Sequence, residues 1–491
     1  MKTESAALLP MITIDRRAQR PLHQQVYEAY RTAITEGALR AAQQVPSTRV
    51  LATELGVSRI PVLHAYAQLV AEGYFQSRVG AGTQVAASLL SQSPRPSQAP
   101  VARGNGSNGM RPVPKRSRLK GPDEDALWQR DGAFALNQVA HDRFPGRVWN
   151  ALVARHARRA GPKALDHGNP MGLRALREAI AVYVRTARGV KCEAEQIMIL
   201  SGSQEGIDIS ARALLNAGHR VWMEEPGCRF CRNIFALHGC KVVPVPVDEE
   251  GLNVAAGTRQ CRNARAVVVT PSHQYVLGAT MSASRRFQLL EWAARVGAWI
   301  LEVDCDSEYR YEIEPVASLQ GLDPHSRVVY IGTFSRVLFP SLRLGYVVIP
   351  PDLVERFRSI RISIDGGPPT FCQAVLADFI REGHFMRHVR RMRLVYRERR
   401  TRLIESLREE LSLPMELTGG QAGMHVALTV DGIRDVEIAE RAARQKLWLW
   451  PLSICYAGEV LRQGFLLGFA NVPDEEIPKA VRRLRTVIDR R

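Results

Sequence analysis

The sequence predicts a multidomain chain. A small helical domain with a β wing precedes a larger α/β domain that is built on a mostly parallel sheet. Three observations predict this. Short helical periods that end in a Gly-rich hairpin pattern occupy residues 12–85. Residues 86–126 are rich in Pro, Gly and Ser. From residue 127 to residue 491, apolar runs of strand length alternate with helical periods, which is typical of a parallel sheet covered by helices on both faces.

Composition limits the class of protein. The chain has 491 residues, of which 45% are hydrophobic and 24% charged, as in an ordinary globular protein. No apolar run is long enough to cross a bilayer, and the N-terminus lacks the pattern of a secretory signal. The eight cysteines then indicate reduced thiols. We expect a cytoplasmic protein without membrane contact, and neither a secreted disulfide scaffold nor a disordered chain.

The charge balance indicates a polyanionic partner. The formal net charge is +18, which favours nucleic acid, while a generally basic surface is the alternative. Residues 86–126 predict a flexible basic linker that spans on the order of 30 Å. Its basic cluster either approaches a phosphate backbone or simply keeps the linker solvated, and it consists of Arg111, Lys115, Arg116, Arg118 and Lys120.

The first domain has the pattern of a helix-turn-helix. Apolar residues recur at every fourth position from Leu22 to Ile34, which predicts a helix that Gly37 ends. Ser47 and Ser58 are the expected N-caps of two further short helices. A two-stranded wing should follow, with the segments Tyr74–Val79 and Thr83–Val85 on either side of a Gly-Ala-Gly turn.

This arrangement suits DNA, because a helix fits the major groove and the side chains near its start reach base edges. Arg59 and His64 are the base-reading candidates, and Arg49 is placed for a phosphate contact. Gly80 and Gly82 would let the wing backbone approach the minor groove. The alternative is a three-helix packing unit that reads no DNA. The full set of DNA-binding candidates is Arg49, Ser58, Arg59, His64, Arg78, Gly80, Gly82 and Thr83.

The stretch PLHQQVYEAYRTAITEGAL, continued by VPSTRVLATELGVSRIPVLHAYAQLVAEGYFQSRVGAGTQV, resembles the winged helix-turn-helix of GntR-type bacterial regulators. The Ser-Arg pair after the turn and the R-x-G-x-G-T wing are the specific features. Ile60-Pro61 replaces the polar pair that usually follows Ser-Arg, so the base preference of the family is not carried over. The resemblance implies a double-stranded DNA operator as the partner.

Strand-like apolar runs mark the larger domain, and ligands of such sheets bind at the carboxyl ends of the strands. The predicted strands are Ile197–Leu200, Val221–Glu224, Lys241–Val245, Ala266–Thr270, Trp299–Val303, Val328–Ile331 and Leu344–Ile349. Segments such as ILSGSQEGIDI, WILEVDCDSEYRY and YIGTFSRVLFPSLRLGY resemble the aspartate-aminotransferase domain of fold type I. Taken with the first domain, the chain resembles a MocR-type regulator, which has a winged helix, a linker and an aminotransferase-like domain.

The resemblance implies a pyridoxal phosphate site in which several essential residues are replaced. The family has a lysine after G-T-F-S, whereas this chain has Arg336, whose guanidinium supplies no free amine for the cofactor aldehyde. Val303 stands where the carboxylate under the ring nitrogen is expected. Cys305 and Cys228 stand in place of tyrosines near the phenolic oxygen and the ring face, and His167 replaces a further tyrosine. We therefore expect no transaminase activity and no covalently bound cofactor.

By the same resemblance, the phosphate-binding residues are retained. They are Ser203, Gln204, Thr333, Ser335 and Arg343, and Arg336 would add charge beside them. Non-covalent pyridoxal phosphate or another phosphorylated or anionic ligand is the expected occupant. In the alternative, Arg336 pairs with Asp304 or Glu302 and fills the old cavity.

The sequence predicts a DNA-binding regulator whose large domain dimerises and senses a small anion. The resemblance implies a head-to-tail homodimer. Two rival hypotheses stay open. One is an active or residual aminotransferase with a substitute amine, for which Lys241 and Lys163 lie in other elements. The other is a cysteine-based redox or metal sensor, which would draw on residues of the vacated pocket and of a neighbouring cluster, namely Cys228, Cys305, His273, Cys231, His238 and Cys240.

Overall fold

The computed structural model describes residues 12–78 except 13, 17 and 19, and residues 82–86, 132–161, 167–311 and 317–489. The chain divides into two compact units, residues 1–111 and 112–491. Of the predicted linker 86–126, only residue 86 is described. Within the described ranges, no helix combines the length and the apolar character that a membrane span requires.

The first unit is a helix-turn-helix followed by a β hairpin, as predicted. Ser47 caps the second helix, since its Oγ accepts the backbone N–H of Val50 at 3.3 Å. Gly37 and Gly56 follow helix ends with φ of +80° and +61°, a backbone conformation that glycine adopts readily. The elements are α1 Leu22–Thr35, β1 Gln44–Val45, α2 Thr48–Glu54, α3 Arg59–Ala71, β2 Phe75–Arg78 and β3 Gly82–Val85.

The prediction of a two-stranded wing was incomplete. The sheet has three strands in the order β1-β3-β2, because Gln44 and Val45 pair antiparallel with β3. Beneath it, Tyr30, Tyr66 and Phe75 pack edge to face, with ring centroids 5.1 to 5.6 Å apart. Tyr66 also donates a hydrogen bond to the carbonyl of Pro46 at 2.9 Å, which ties α3 to the segment before α2.

The second unit is built on an eight-stranded sheet in the order β4-β11-β10-β9-β8-β5-β6-β7. The pairs among β5, β6, β8, β9 and β10 are parallel, while β11 and β7 run antiparallel to their neighbours. Each predicted strand belongs to this sheet, and β7 was not predicted. The strands are β4 Ile197–Leu200, β5 Arg220–Glu225, β6 Lys241–Asp248, β7 Gly251–Leu252, β8 Ala266–Val269, β9 Trp299–Asp304, β10 Val328–Thr333 and β11 Gly345–Val348.

Helices alternate with the strands of the second unit, as the sequence pattern predicts. They are α4 Gly146–Arg159, α5 Arg174–Arg188, α6 Ser203–Leu214, α7 Arg229–Leu237, α8 Val254–Gln260, α9 Ala283–Val296, α10 Leu319–Leu322, α11 Val354–Ile364, α12 Phe371–Arg381, α13 His384–Glu410, α14 Asp435–Ala443 and α15 Ile477–Asp489.

A second sheet, in the order β12-β13-β15-β14, was not predicted. Its strands are β12 Met415–Thr418, β13 His425–Val430, β14 Trp450–Pro451 and β15 Gly464–Gly468.

Two buried carboxylates fix the end of β9, where the large domain places its candidate site. Arg188 Nε donates to Asp304 Oδ2 at 2.8 Å, and Tyr330 donates to the same oxygen at 2.6 Å. Glu302 accepts the backbone N–H groups of Leu319 and Gln320, both at 2.9 Å. Both carboxylates therefore use their hydrogen-bonding capacity to hold neighbouring elements in place.

We expect Phe75→Ala to destabilise the first unit by about 3–5 kcal/mol, because it removes a fully buried ring from the aromatic cluster. Urea unfolding measures this loss. The matched control is Phe287→Ala in α9, where the ring is 56% exposed and should contribute little. Equal effects of the two substitutions would contradict the packing described here.

Candidate functional site

The exposed face of α3 is the first candidate site. Arg59 and His64 both lie on this face, and Arg59 Nε donates to Thr48 Oγ1 at 3.1 Å, which holds its side chain beside the start of α2. Ile60 and Leu63 are exposed beside them at 64% and 41%. Apolar side chains on such a face suit the methyl group of thymine, whereas a guanidinium suits guanine. The exposed face of α3 thus presents both kinds of side chain to solvent.

The remaining DNA-binding candidates differ in their exposure and in how far the structure describes them. Ser58 occupies the predicted N-cap position of α3, although its side chain makes no capping hydrogen bond. Arg49 is exposed in the first turn of α2, as a phosphate contact requires. In the wing, Gly82 is exposed with φ of +85° and Thr83 is half-buried. Arg78 ends β2, while its side chain and Gly80 lie outside the described residues.

The second candidate site is a cavity of about 930 Å³ in the large domain. It lies against the carboxyl ends of β4, β9 and β10, where sheets of this type bind ligands. With the exception of His167, all the pocket residues that the sequence predicts line this one cavity. They are Ser203, Gln204, Cys228, His273, Val303, Cys305, Thr333, Ser335, Arg336 and Arg343.

Arg336 is anchored in the cavity wall by residues that the sequence analysis did not select. Its Nη1 lies 3.3 Å from Asp306 Oδ2, and its Nη2 donates to Asn137 Oδ1. The guanidinium also lies over the ring of Tyr275, 5.1 Å from the centroid. The alternative in which Arg336 pairs with Asp304 or Glu302 is contradicted, because both carboxylates already bind other elements. Arg336 leaves the cavity open.

Asp306 is the central counter-ion of the cavity. Burial alone would raise the pKa of this carboxyl, but the hydrogen bond with His273 and the charge of Arg336 outweigh burial and hold its pKa well below the ordinary value. His273 Nδ1 lies 3.4 Å from Asp306 Oδ1. The carboxylate is therefore ionised and shared between a guanidinium and an imidazole.

One end of the cavity has the features of a phosphate site. Helix α6 begins there at Ser203, after Gly202 as N-cap, and a helix N-terminus attracts anions. A Cβ added at Gly202 would lie 3.8 Å from Arg343 Nη1, so the guanidinium and the helix start face the same space. Ser335 Oγ is buried without a hydrogen-bond partner among the described residues, and Thr333 lines the same wall. An anion would satisfy these donors.

Pyridoxal phosphate fits this site only in part. The phosphate group matches the orphaned Ser335 hydroxyl, the start of α6 and Arg343. The ring nitrogen lacks its expected carboxylate, because position 303 is Val303. The aldehyde lacks an amine, because no lysine is present among the described residues of the cavity wall. Lys241 is exposed at the start of β6, and Lys163 lies outside the described residues. His167 is exposed and does not line the cavity.

Part of the cysteine and histidine cluster that the sequence suggests lies together at the cavity, and part of it lies elsewhere. Cys228, Cys231 and Cys305 line the cavity. His238 instead pairs with Asp208 at 2.7 Å, and Cys240 donates to the carbonyl of Asn216 at 3.7 Å. In the part of the chain that the structure describes, no group of three or more His, Cys, Asp or Glu side chains is arranged to hold a metal ion.

Several polar or aromatic lining residues were not predicted from the sequence, among them Asn137, Glu224, Tyr275 and Asp306. Burial raises the pKa of Glu224 to about 6, while Thr270 and Gln274 donate hydrogen bonds to it. Asp306 had a signal, since a carboxylate directly follows Cys305 at the end of a predicted strand. Asn137 had none, because it reaches Arg336 from 199 positions away in the sequence.

Comparison with known proteins matches both units to family models. Residues 22–85 match the model described as "Bacterial regulatory proteins, gntR family". Residues 134–484 match the model "Aminotransferase class I and II".

Full-length relatives and a solved structure agree with these matches. The probable rhizopine catabolism regulatory protein MocR of Rhizobium meliloti is 37% identical, covering 97% of this chain and 95% of its own. The pyridoxine biosynthesis transcriptional regulator PdxR of Corynebacterium glutamicum is 30% identical, covering 92% and 93%. The kynurenine aminotransferase of Pyrococcus horikoshii has a TM-score of 0.71 at 26% identity, covering 77% of this chain and 96% of that chain.

Proposed function

This chain belongs to the MocR-type family of HTH-type transcriptional regulators, and from that premise we propose that its aminotransferase-like domain senses a small anionic ligand without catalysing transamination. The chain is a DNA-binding transcriptional regulator with a GntR domain. We assign DNA binding to residues 12–85, a linker to 86–126, and effector binding and dimerisation to 127–491. A regulator that acts on bacterial DNA works in the cytoplasm.

One observation carries the proposal: a cavity of about 930 Å³ is lined by Arg336 and Arg343 and, among its described lining residues, by no lysine. A guanidinium stays protonated and does not attack an aldehyde, so the amine that transamination needs is missing. Val303 likewise removes the carboxylate that would make the ring an electron sink. What remains at this place is a binding site for an anion.

The proposed ligand is pyridoxal phosphate, held non-covalently, or another small phosphorylated anion. The start of α6, Ser335 and Arg343 would bind the phosphate group. Pyridoxal phosphate would supply an aldehyde and an electron-withdrawing ring when bound. Among the described residues of the cavity wall, no lysine is present to react with the aldehyde, and position 303 carries no carboxylate. The relative PdxR is named as a transcriptional regulator of pyridoxine biosynthesis. This name supports a B6 vitamer as the first ligand to test.

We further propose a head-to-tail homodimer bound to an operator with two half-sites. Fold type I aminotransferases, which the large domain resembles, support the dimer. Two linked DNA-binding modules bind more tightly than either one alone, because the second contact becomes intramolecular. Arg59 and His64 would read bases, and Arg49 and the wing would contact the backbone and the minor groove.

Arg59→Ala should weaken operator binding by about 1–3 kcal/mol and leave binding to random DNA nearly unchanged, because a base contact is lost. Fluorescence anisotropy with both DNAs measures this difference. Arg49→Ala should weaken binding to both DNAs alike and lower the salt slope by about one. Arg434→Ala, at an exposed position of the large domain, is the control. Equal losses on both DNAs for Arg59→Ala would make it a phosphate contact.

Arg343→Ala should abolish the thermal stabilisation that pyridoxal phosphate gives the full-length protein. A ligand at about 100 times its Kd stabilises the folded state by about 2.7 kcal/mol, so the loss is measurable by differential scanning calorimetry. Arg343→Lys, which keeps the charge, should retain part of the effect. Pyridoxal without the phosphate should give no stabilisation. An unchanged shift in Arg343→Ala would move the ligand to another site.

Borohydride reduction tests the absence of transaminase chemistry. After treatment with pyridoxal phosphate and borohydride, the wild-type protein should carry a pyridoxyl group only on exposed lysines such as Lys241. Arg336→Lys should add a pyridoxyl group at position 336, because an amine then faces the cavity. Peptide mass mapping distinguishes the two cases. A pyridoxyl group on a cavity residue of the wild-type protein would restore the aminotransferase hypothesis.

A further inference from the structure

The proposed anion site leaves one reactive feature of the cavity without a role, which is its thiol pair. Cys228 is the N-cap residue of α7, and Cys231 lies in the first turn of that nine-residue helix. Cys228 is half-buried, Cys231 is 7% exposed, and both line the cavity. Side chains three positions apart at the start of a helix are close neighbours, as a disulfide requires.

The surroundings of Cys228 favour its thiolate. The Cys231 thiol hydrogen-bonds to it, and this interaction, aided by the charge of Arg336, lowers the pKa of Cys228 to about 7 in spite of burial. The partial positive charge at the start of α7 acts in the same direction. The same contact raises the pKa of Cys231, which stays a thiol. The pair thus combines one nucleophilic sulfur with one neutral partner.

The third cysteine of the cavity has a different environment. Burial raises the pKa of Cys305 to about 12, and its Sγ donates to Ser203 Oγ at 3.8 Å. Burial also raises the pKa of Cys455, a buried cysteine of the large domain, to about 12. Neither thiol is prepared to attack an oxidant at neutral pH.

We propose that Cys228 and Cys231 are a redox-active pair that forms a reversible disulfide in the wall of the cavity, with a hydroperoxide as the oxidant. The Cys228 thiolate attacks one peroxide oxygen, the O–O bond breaks, and an alcohol or water leaves after taking up a proton. The Cys231 sulfur then attacks the sulfenic sulfur of Cys228 and forms the S–S bond, while the S–O bond breaks and the hydroxide takes up the Cys231 proton and leaves as water. Two thiols are oxidised and one peroxide is reduced.

The disulfide also changes the electrostatics beside Arg336. A thiolate and a thiol become a neutral disulfide, so the cavity loses one negative charge near the guanidinium. The modification itself requires neither a bound anion nor DNA, and it is tested independently of the proposed ligand.

The sequence offers a direct assay on the full-length protein. Trypsin cleaves after Arg229, between the two cysteines, so the disulfide joins two separate peptides, Val221–Arg229 and Phe230–Arg232. We expect hydrogen peroxide, followed by alkylation of free thiols under denaturing conditions, to yield this linked pair by mass spectrometry. Dithiothreitol should remove it. The exposed Cys372 is the internal control and should react about tenfold more slowly than Cys228.

Serine variants distinguish the cysteine that attacks the peroxide from the cysteine that then forms the disulfide with it. Cys231→Ser should leave a sulfenic acid on Cys228 that dimedone traps, and Cys228→Ser should abolish oxidation at Cys231. Cys305→Ser is the matched control from the same cavity and should form the linked peptides at the wild-type rate. The proposal is overturned if the linked pair is absent, if it joins two chains, or if Cys228 links to Cys305 instead.

Discussion

The cavity of the large domain depends on the contact between Arg336 and Asp306. A guanidinium that is permanently charged is costly to bury, and Asp306, Asn137 and the Tyr275 ring together compensate that cost. Asp306 is ionised because His273 and Arg336 lower its pKa. The ion pair keeps Arg336 against the wall, and the cavity therefore stays open beside a fixed positive charge.

Neighbouring contacts in the large domain leave Asp306 as the carboxylate that pairs with Arg336. Arg188 and Tyr330 hold Asp304 at the end of β9, and Glu302 binds the start of α10, so neither carboxylate is free to neutralise Arg336. Arg343 and the first turn of α6 face a common space in the same cavity. We propose that this aminotransferase-like scaffold retains an anion site without the groups that handle an amine. In a transcriptional regulator, such a cavity is suited to ligand recognition.

Local patterns allowed much of the fold to be predicted. Buried strands such as Ile197–Leu200 are short apolar runs with clear boundaries, and the observed β4 has the same bounds. The two-residue strands β1 and β7 escaped prediction, because two residues show no periodicity and pair only through their neighbours. Ser58 illustrates a different limit: the residue type is typical of an N-cap, but its side chain does not bond to the helix.

The residues of the candidate site likewise divide into those that the sequence predicts and those that it does not. Arg336, Val303 and Cys305 were predictable, since each stands in a recognisable segment, and the structure brings them together in one cavity. The partners of Arg336 were not, because Asn137 and Tyr275 approach from distant parts of the chain. Contacts of this kind depend on tertiary structure, which a local sequence pattern does not encode.

Calorimetric titration with two B6 vitamers tests the central claim most directly. Pyridoxal phosphate and pyridoxine phosphate share the phosphate and the ring, but only the former has an aldehyde. If the phosphate group accounts for binding and no bond forms to the aldehyde, the two Kd values should agree within about threefold. A preference for pyridoxal phosphate of about tenfold or more, or 1.4 kcal/mol, would show that the protein still captures the aldehyde and would contradict the account.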